Sequence, residues 1–204
     1  MDRIARCYSL PAIGKTRRGR MRIDVPAAQA HDPYGYATET LAPEIMRAGG
    51  AFSHAVYRHS KLSLREFEGA RARTAEINGC VICQRFRAAR DLGGMFSGTG
   101  TRGTVVDNGP PPDEAFYAAV PEWRTSPLFS DRERLAIEFA ERFAVEPKAL
   151  ARDETFWAKA RAAFSDAEIA DLANSVASWV GLGRVAHVLG FDEVCLPFTA
   201  EAAE

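Results

Sequence analysis

Two cysteines three residues apart, Cys80 and Cys83, are the side chains of this sequence whose type and spacing point most directly to chemistry. They close the run Glu68-Gly-Ala-Arg-Ala-Arg-Thr-Ala-Glu-Ile-Asn-Gly-Cys-Val-Ile-Cys83. Two thiols at that spacing near a helix start can form and break a disulfide with little backbone movement. The thiolate is the reactive form, and a helix N-terminus favours it. On a helix Cys83 lies nearly one turn beyond Cys80, so the two share a face. Arg87 falls four residues further along that face, where its fixed charge would favour a Cys83 thiolate. Glu68 and Glu76 precede Cys80, and either carboxylate could accept a proton. Glu68 could instead pair with Arg71 on its own helix. The pair could also be half of a zinc site, but that needs two more ligands. Cys7, Cys195 and the histidines form no matching second pair, so no metal and no cofactor is expected.

The elements that would position these residues read as helices. Ser63-Leu-Arg-Glu66, Ser130-Asp-Arg-Glu133 and Ser165-Asp-Ala-Glu168 each fit the capping box, in which a serine oxygen and a glutamate three residues on satisfy each other's backbone N–H groups. Leu135, Phe139 and Phe143 recur every four residues, and Ile169, Leu172, Val176 and Val180 at spacings of three and four. Asn78-Gly79 is a turn signal that would end the helix from Ser63 and hand over to one carrying both thiols. Gly181 and Gly183 imply a bend, a close approach by another backbone, or a break between two shorter helices. Residues 1 to 37, with six Pro and Gly, read as an irregular N-terminal arm, followed by one helical domain over 38–204. The helical pattern begins near Ala42. Residues 93–112 are rich in Gly and Pro and read as a long surface loop. Their glycines do not form a phosphate cradle, because no strand precedes and no Gly-Lys-Ser follows. No apolar–polar alternation argues for a substantial sheet.

With 204 residues, 47% apolar and 26% charged, the chain can bury a core of its own. A net charge of −1 supplies no global field toward nucleic acid or an anionic membrane. The basic run Lys15–Arg22 reads as a solvated arm. No apolar run approaches the ~20 residues that span a bilayer. The N-terminus lacks the apolar stretch of a secretory signal, so the expected compartment is the cytoplasm. Thiols are mostly kept reduced there, so a close cysteine pair is expected to cycle or bind metal rather than staple the fold.

The run from Glu68 to Cys83 resembles the signature of the alkylhydroperoxidase D-like superfamily, which includes the carboxymuconolactone decarboxylase family. That signature is Glu, eleven residues, Cys-x-x-Cys, three residues, His. Arg71, Arg73, Ile77, Asn78, Gly79 and Cys80 also fit its core. Residues 128–140, 164–169 and 181–185 are similar to the family's later helices, so the resemblance spans roughly residues 40 to 192. It implies an all-α fold with the pair on a central helical hairpin, and a homo-oligomer. It implies that Cys83 attacks peroxide, that Cys80 resolves the sulfenic acid into a disulfide, and that Glu68 is the carboxylate of a proton relay. The family's histidine is Arg87 here. Arginine cannot accept a proton near neutral pH, although it can stabilise a thiolate. Glu68, Glu76 or water would then take the proton, with His187 the best candidate to replace the missing histidine.

The expected activity is reduction of a small hydroperoxide, with an external dithiol reopening the disulfide. The alternatives are decarboxylation or ring-lactone chemistry of aromatic catabolism, using His54, His59, His187 and arginines, or a catalytically inert helical oligomer. Trp123, Trp157 and Trp179 read as core or interface filling, and His187 equally as a satisfied core or interface histidine.

Overall fold

Every regular element among the described residues, 21–96 and 100–193 of this computed structural model, is a helix. The α-helices are α1 (Pro33–Tyr36), α2 (Pro43–His59), α3 (Leu64–Asn78), α4 (Val81–Arg85), α5 (Ala88–Met95), α6 (Glu114–Ala119), α7 (Asp131–Val145), α8 (Pro147–Leu150), α9 (Glu154–Ala163) and α10 (Asp166–Leu189). A π-helical turn, Ala37–Leu41, joins α1 to α2, so helical structure begins before Ala42. Residues 1–20, with Cys7 and most of the basic run, lie outside the described residues, as does Cys195. No described helix is long and apolar enough to cross a membrane.

All three capping boxes form. Ser63, Ser130 and Ser165 each accept from the backbone N–H of the glutamate three residues on, and Glu66, Glu133 and Glu168 each accept from the serine N–H. The same glutamates also hold the helices together. Arg65 of α3 donates to Glu133 at 2.5 Å, Arg132 of α7 donates to Glu66 at 2.6 Å, and Arg132 reaches Glu168 at 2.8 Å. The starts of α3, α7 and α10 therefore lie together. Their far ends also meet: Asn78 Nδ2 donates to the Trp179 carbonyl at 2.8 Å, and Arg184 Nη2 to the Ala144 carbonyl at 3.0 Å. The three helices run in one direction, with α3 central between α7 and α10 and with α2 across α10.

The core follows the predicted faces. Phe67, Phe139, Leu172 and Val176 are buried, with Leu135, Phe143, Ile169 and Val180 packed against them. The Trp179 ring stands perpendicular to Phe67 at 4.7 Å. Trp123 and Trp179 are buried.

One open choice is resolved and one expectation needs correction. The glycines of α10 neither break nor end it. A Cβ on Gly183 would lie 2.6 Å from Asn78 Nδ2, so glycine there lets the end of α3 close against α10. Residues 93–112 are not one surface loop. Gly93 and Gly94 belong to α5, Val105 is fully buried, and Asn108 Nδ2 donates to the Ser60 and Leu62 carbonyls. That asparagine pins the segment to the chain leading into α3.

Burial works against the Glu133 charge, but Arg65 and the Ser130 N–H outweigh it and hold the carboxyl below the usual range. A carboxyl lowered in the folded state contributes stability above its unfolded value, about 4.3. That contribution is lost as pH falls through the lowered folded value. Glu133→Gln should therefore lower the melting temperature at pH 7, and the gap to the native protein should narrow as pH falls below about 4.3. Thermal unfolding across that range checks it; a gap independent of pH would contradict it.

Candidate active site

The cysteines sit where α3 hands over to α4. Gly79 ends α3 with φ of 72°, a left-handed conformation that favours glycine. Cys80 follows as the residue capping α4, its Sγ 3.4 Å from the Cys83 backbone nitrogen. The two sulfurs are bonded, with Cα atoms 5.2 Å apart. Cys80 is 0% exposed and packs with Ala37, Ala186 and Phe191. Cys83 is half-buried and lines a cavity of 590 Å³. Ile82 and Phe86 line it beside the thiol, Tyr57 comes from α2, Trp179 and Leu182 from α10, and Arg71 from α3. The walls are mostly apolar. Burial raises the Tyr57 hydroxyl far above its ordinary value, so it remains a protonated donor.

Glu68 and Arg71 form the ion pair that the spacing allowed, almost wholly out of solvent at 0% and 3% exposure. Arg71 Nε donates to Glu68 Oε1 at 2.6 Å and Nη2 to Oε2 at 3.1 Å. The same guanidinium reaches the cysteine segment: Nη1 donates to the Cys83 carbonyl and Nη2 to the Phe86 carbonyl, both at 2.6 Å. Burial alone would disfavour the Arg71 cation; the adjoining Glu68 carboxylate outweighs it and raises the guanidinium further. The Tyr117 hydroxyl and the Ala88 N–H also donate to Glu68. Burial, then the Glu68 charge, pushes the Tyr117 phenol well above its usual range, so it holds its proton. Glu68 thus stands behind Arg71 and does not line the cavity.

A five-residue helix cannot satisfy its own last carbonyls. Three arginines satisfy them for α4. Arg71 takes those of Cys83 and Phe86, Arg87 that of Gln84 at 2.7 Å, and Arg90 that of Arg85 at 2.7 Å.

Arg87 is therefore not where helical spacing put it. The helix ends at Arg85, and Phe86 and Arg87 are extended, so Arg87 does not sit one turn above Cys83. Its guanidinium pairs with Glu114 at 2.9 Å and stacks on the Tyr117 ring at 3.8 Å. The fixed charge beside Cys83 belongs to Arg71. Glu76 is also turned away. On α3 the cavity stripe is Arg71, Ala75 and Asn78, whereas Glu76 pairs with Arg73, which itself reaches Glu141 of α7. Burial raises the Glu76 carboxyl, with Arg73 opposing. His187 is brought to the cysteine turn from the other side: its Nδ1 meets Asp192 at 2.9 Å, and its ring lies over Gly79. Its side chain is 47% exposed, so it is not a core histidine. His54 stacks on Phe96 with centroids 3.9 Å apart. No described cluster of His, Cys, Asp and Glu could hold a metal.

Sequence reasoning missed Arg71 as a contact of the cysteines, and missed Tyr117 and Asp192 altogether. A local signal existed for Arg71. It sits among Gly69, Ala70, Ala72 and Ala75, small residues that let neighbours close on every side of α3. Tyr117 and Asp192 reach the site through contacts 49 and 111 residues apart in sequence, and no local pattern encodes those.

No family model matches the chain, and no curated protein matches it. Among solved structures it is similar to a protein of unknown function from Agrobacterium tumefaciens, provisionally assigned to antioxidant defence as AhpD. The TM-score is 0.54 at 22% identity, covering 76% of this chain and 92% of the other. The fold is therefore the all-α, AhpD-like one, with a Cys80–Cys83 pair at disulfide distance.

Removing one partner of a buried ion pair typically costs about 3–5 kcal/mol, because the other charge stays buried alone. Arg71→Met should destabilise the protein by that order in denaturant unfolding. Glu68→Gln with Arg71→Met should recover much of the loss. A single variant within about 1 kcal/mol of the native protein would contradict a structural role for the pair.

Proposed function

We propose that this chain is a thiol-dependent reductase of organic hydroperoxides. The carrying observation is asymmetry: Cys83 faces a largely apolar cavity of 590 Å³, while Cys80 is bonded to it and sealed behind it. An accessible sulfur backed by a buried partner suits attack followed by resolution. The AhpD-like fold supports the same reading.

In this reading the Cys83 thiolate attacks the distal peroxide oxygen and the O–O bond breaks. The alcohol departs after taking up a proton, and Cys83 becomes a sulfenic acid. The Cys80 thiol then attacks that sulfur, the disulfide forms, and water leaves. An external dithiol gives two electrons and two protons to restore both thiols. Arg71, donating to the Cys83 carbonyl, fixes the cysteine turn at the cavity wall, with its charge balanced by Glu68. The apolar walls favour a hydroperoxide with a hydrocarbon body over hydrogen peroxide. Ring-lactone decarboxylation is supported less well: the cavity's two arginines are each paired with a carboxylate, Arg71 with Glu68 and Arg90 with Asp91.

Stopped-flow oxidation of the reduced protein tests this. Cumene hydroperoxide should oxidise it at least tenfold faster than a Cys83→Ser variant, and faster than hydrogen peroxide does at equal concentration. If Cys83→Ser reacts as fast as the native chain, the proposal fails.

A further inference from the structure

The last described turn, Phe191–Glu193, folds back against the cysteine turn. Asp192 is 2% exposed, and one carboxylate oxygen serves two partners: it accepts from the Val81 N–H at 2.9 Å and meets His187 Nδ1 at 2.9 Å. The His187 ring covers the preceding residue; a Cβ on Gly79 would lie 3.0 Å from His187 Nε2. Of the residues on either side of Cys80, Val81 is thus bonded to the carboxylate and Gly79 lies under the imidazole. Cys80 is sealed beneath them, with Met21 and Ile23 packed against the same cluster.

We infer that Asp192 sets the reduction potential of the Cys80–Cys83 pair. Its carboxylate is 2% exposed and is bonded to the N–H that directly follows Cys80. A negative charge held there opposes ionisation of the Cys80 thiol. The disulfide carries no charge to be opposed, so the carboxylate favours the disulfide relative to the reduced pair. The other titratable groups bonded at the turn are His187, which faces Asp192 from α10, and Arg71 on the Cys83 carbonyl with Glu68 behind it. This role rests on the pair being a reversible redox couple, not on hydroperoxide being its oxidant.

The test is equilibration of the native protein and Asp192→Asn with mixtures of reduced and oxidised dithiothreitol at pH 8. Dithiothreitol gives two electrons and two protons to the protein disulfide and closes to its own cyclic disulfide. The amide keeps an oxygen to accept from the Val81 N–H and to meet His187, removes the charge, and turns the second carboxylate oxygen into a donor. The equilibrium constant should shift at least about threefold toward the protein dithiol; a tenfold shift would be about 30 mV. If Asp192→Asn does not fold, Asp192→Ser also keeps an acceptor and is read in the same way. An unchanged equilibrium in a folded variant, or a shift toward the disulfide, overturns the inference. A native protein that does not turn over hydroperoxide, with the Asp192→Asn shift intact, would count against the proposed reaction alone.

Discussion

A charged pair cannot be carried on the central helix of a bundle without being tied on every side, and in this molecule the tying is what builds the site. Helix α3 is buried along most of its length, so Glu68 and Arg71 have no water to turn to. Arg71 divides its N–H groups between the Glu68 carboxylate and two carbonyls of the following segment. Those carbonyls belong to Cys83 and Phe86, at the end of a helix too short to satisfy them itself. The constraint that makes the pair tolerable therefore also fixes the height and direction of the α4 turn. Tyr117 and Ala88 complete the carboxylate's partners and extend the grip to α6 and α5.

Two unlike sulfurs follow from that placement. The Gly79 turn drops Cys80 into a small apolar cluster with Ala37, Ala186 and Phe191, against which Met21 and Ile23 pack. One helical turn on, Cys83 stands in the wall of the cavity between α2, α3 and α10. The close fit of α10 on α3, made possible by Gly183 against Asn78, shapes that cavity from the far side. Accessibility, more than spacing, distinguishes the two sulfurs.

Much of the architecture was legible in the sequence because it rests on local rules. A capping box needs only four residues, and a helical face only a period, so the starts at Ser63, Ser130 and Ser165 and the packing of Leu135, Phe139 and Phe143 could be read directly. Asn78-Gly79 marked the handover in the same way. The site was legible only as far as its chemistry is local, in the cysteine pair and the Glu68–Arg71 spacing. The role of Arg87 was misplaced because extrapolation along a helix assumes that the helix continues, and α4 stops at Arg85 once arginines satisfy its carbonyls. Glu76 was misplaced because proximity in sequence does not say which face of α3 meets α7. The contacts of Tyr117 and Asp192 come from tertiary packing across long stretches of chain, which neither period nor motif records.

The central claim is that Cys83, and not its buried neighbour, is the sulfur that meets the oxidant. Its most direct test is to trap the oxidised sulfur in a Cys80→Ser variant, where no disulfide can form between the two positions. After one equivalent of an organic hydroperoxide in the presence of dimedone, peptide mass spectrometry should place the adduct on Cys83. A protein that stays unmodified at Cys83, or that carries the adduct on another cysteine instead, would contradict the account.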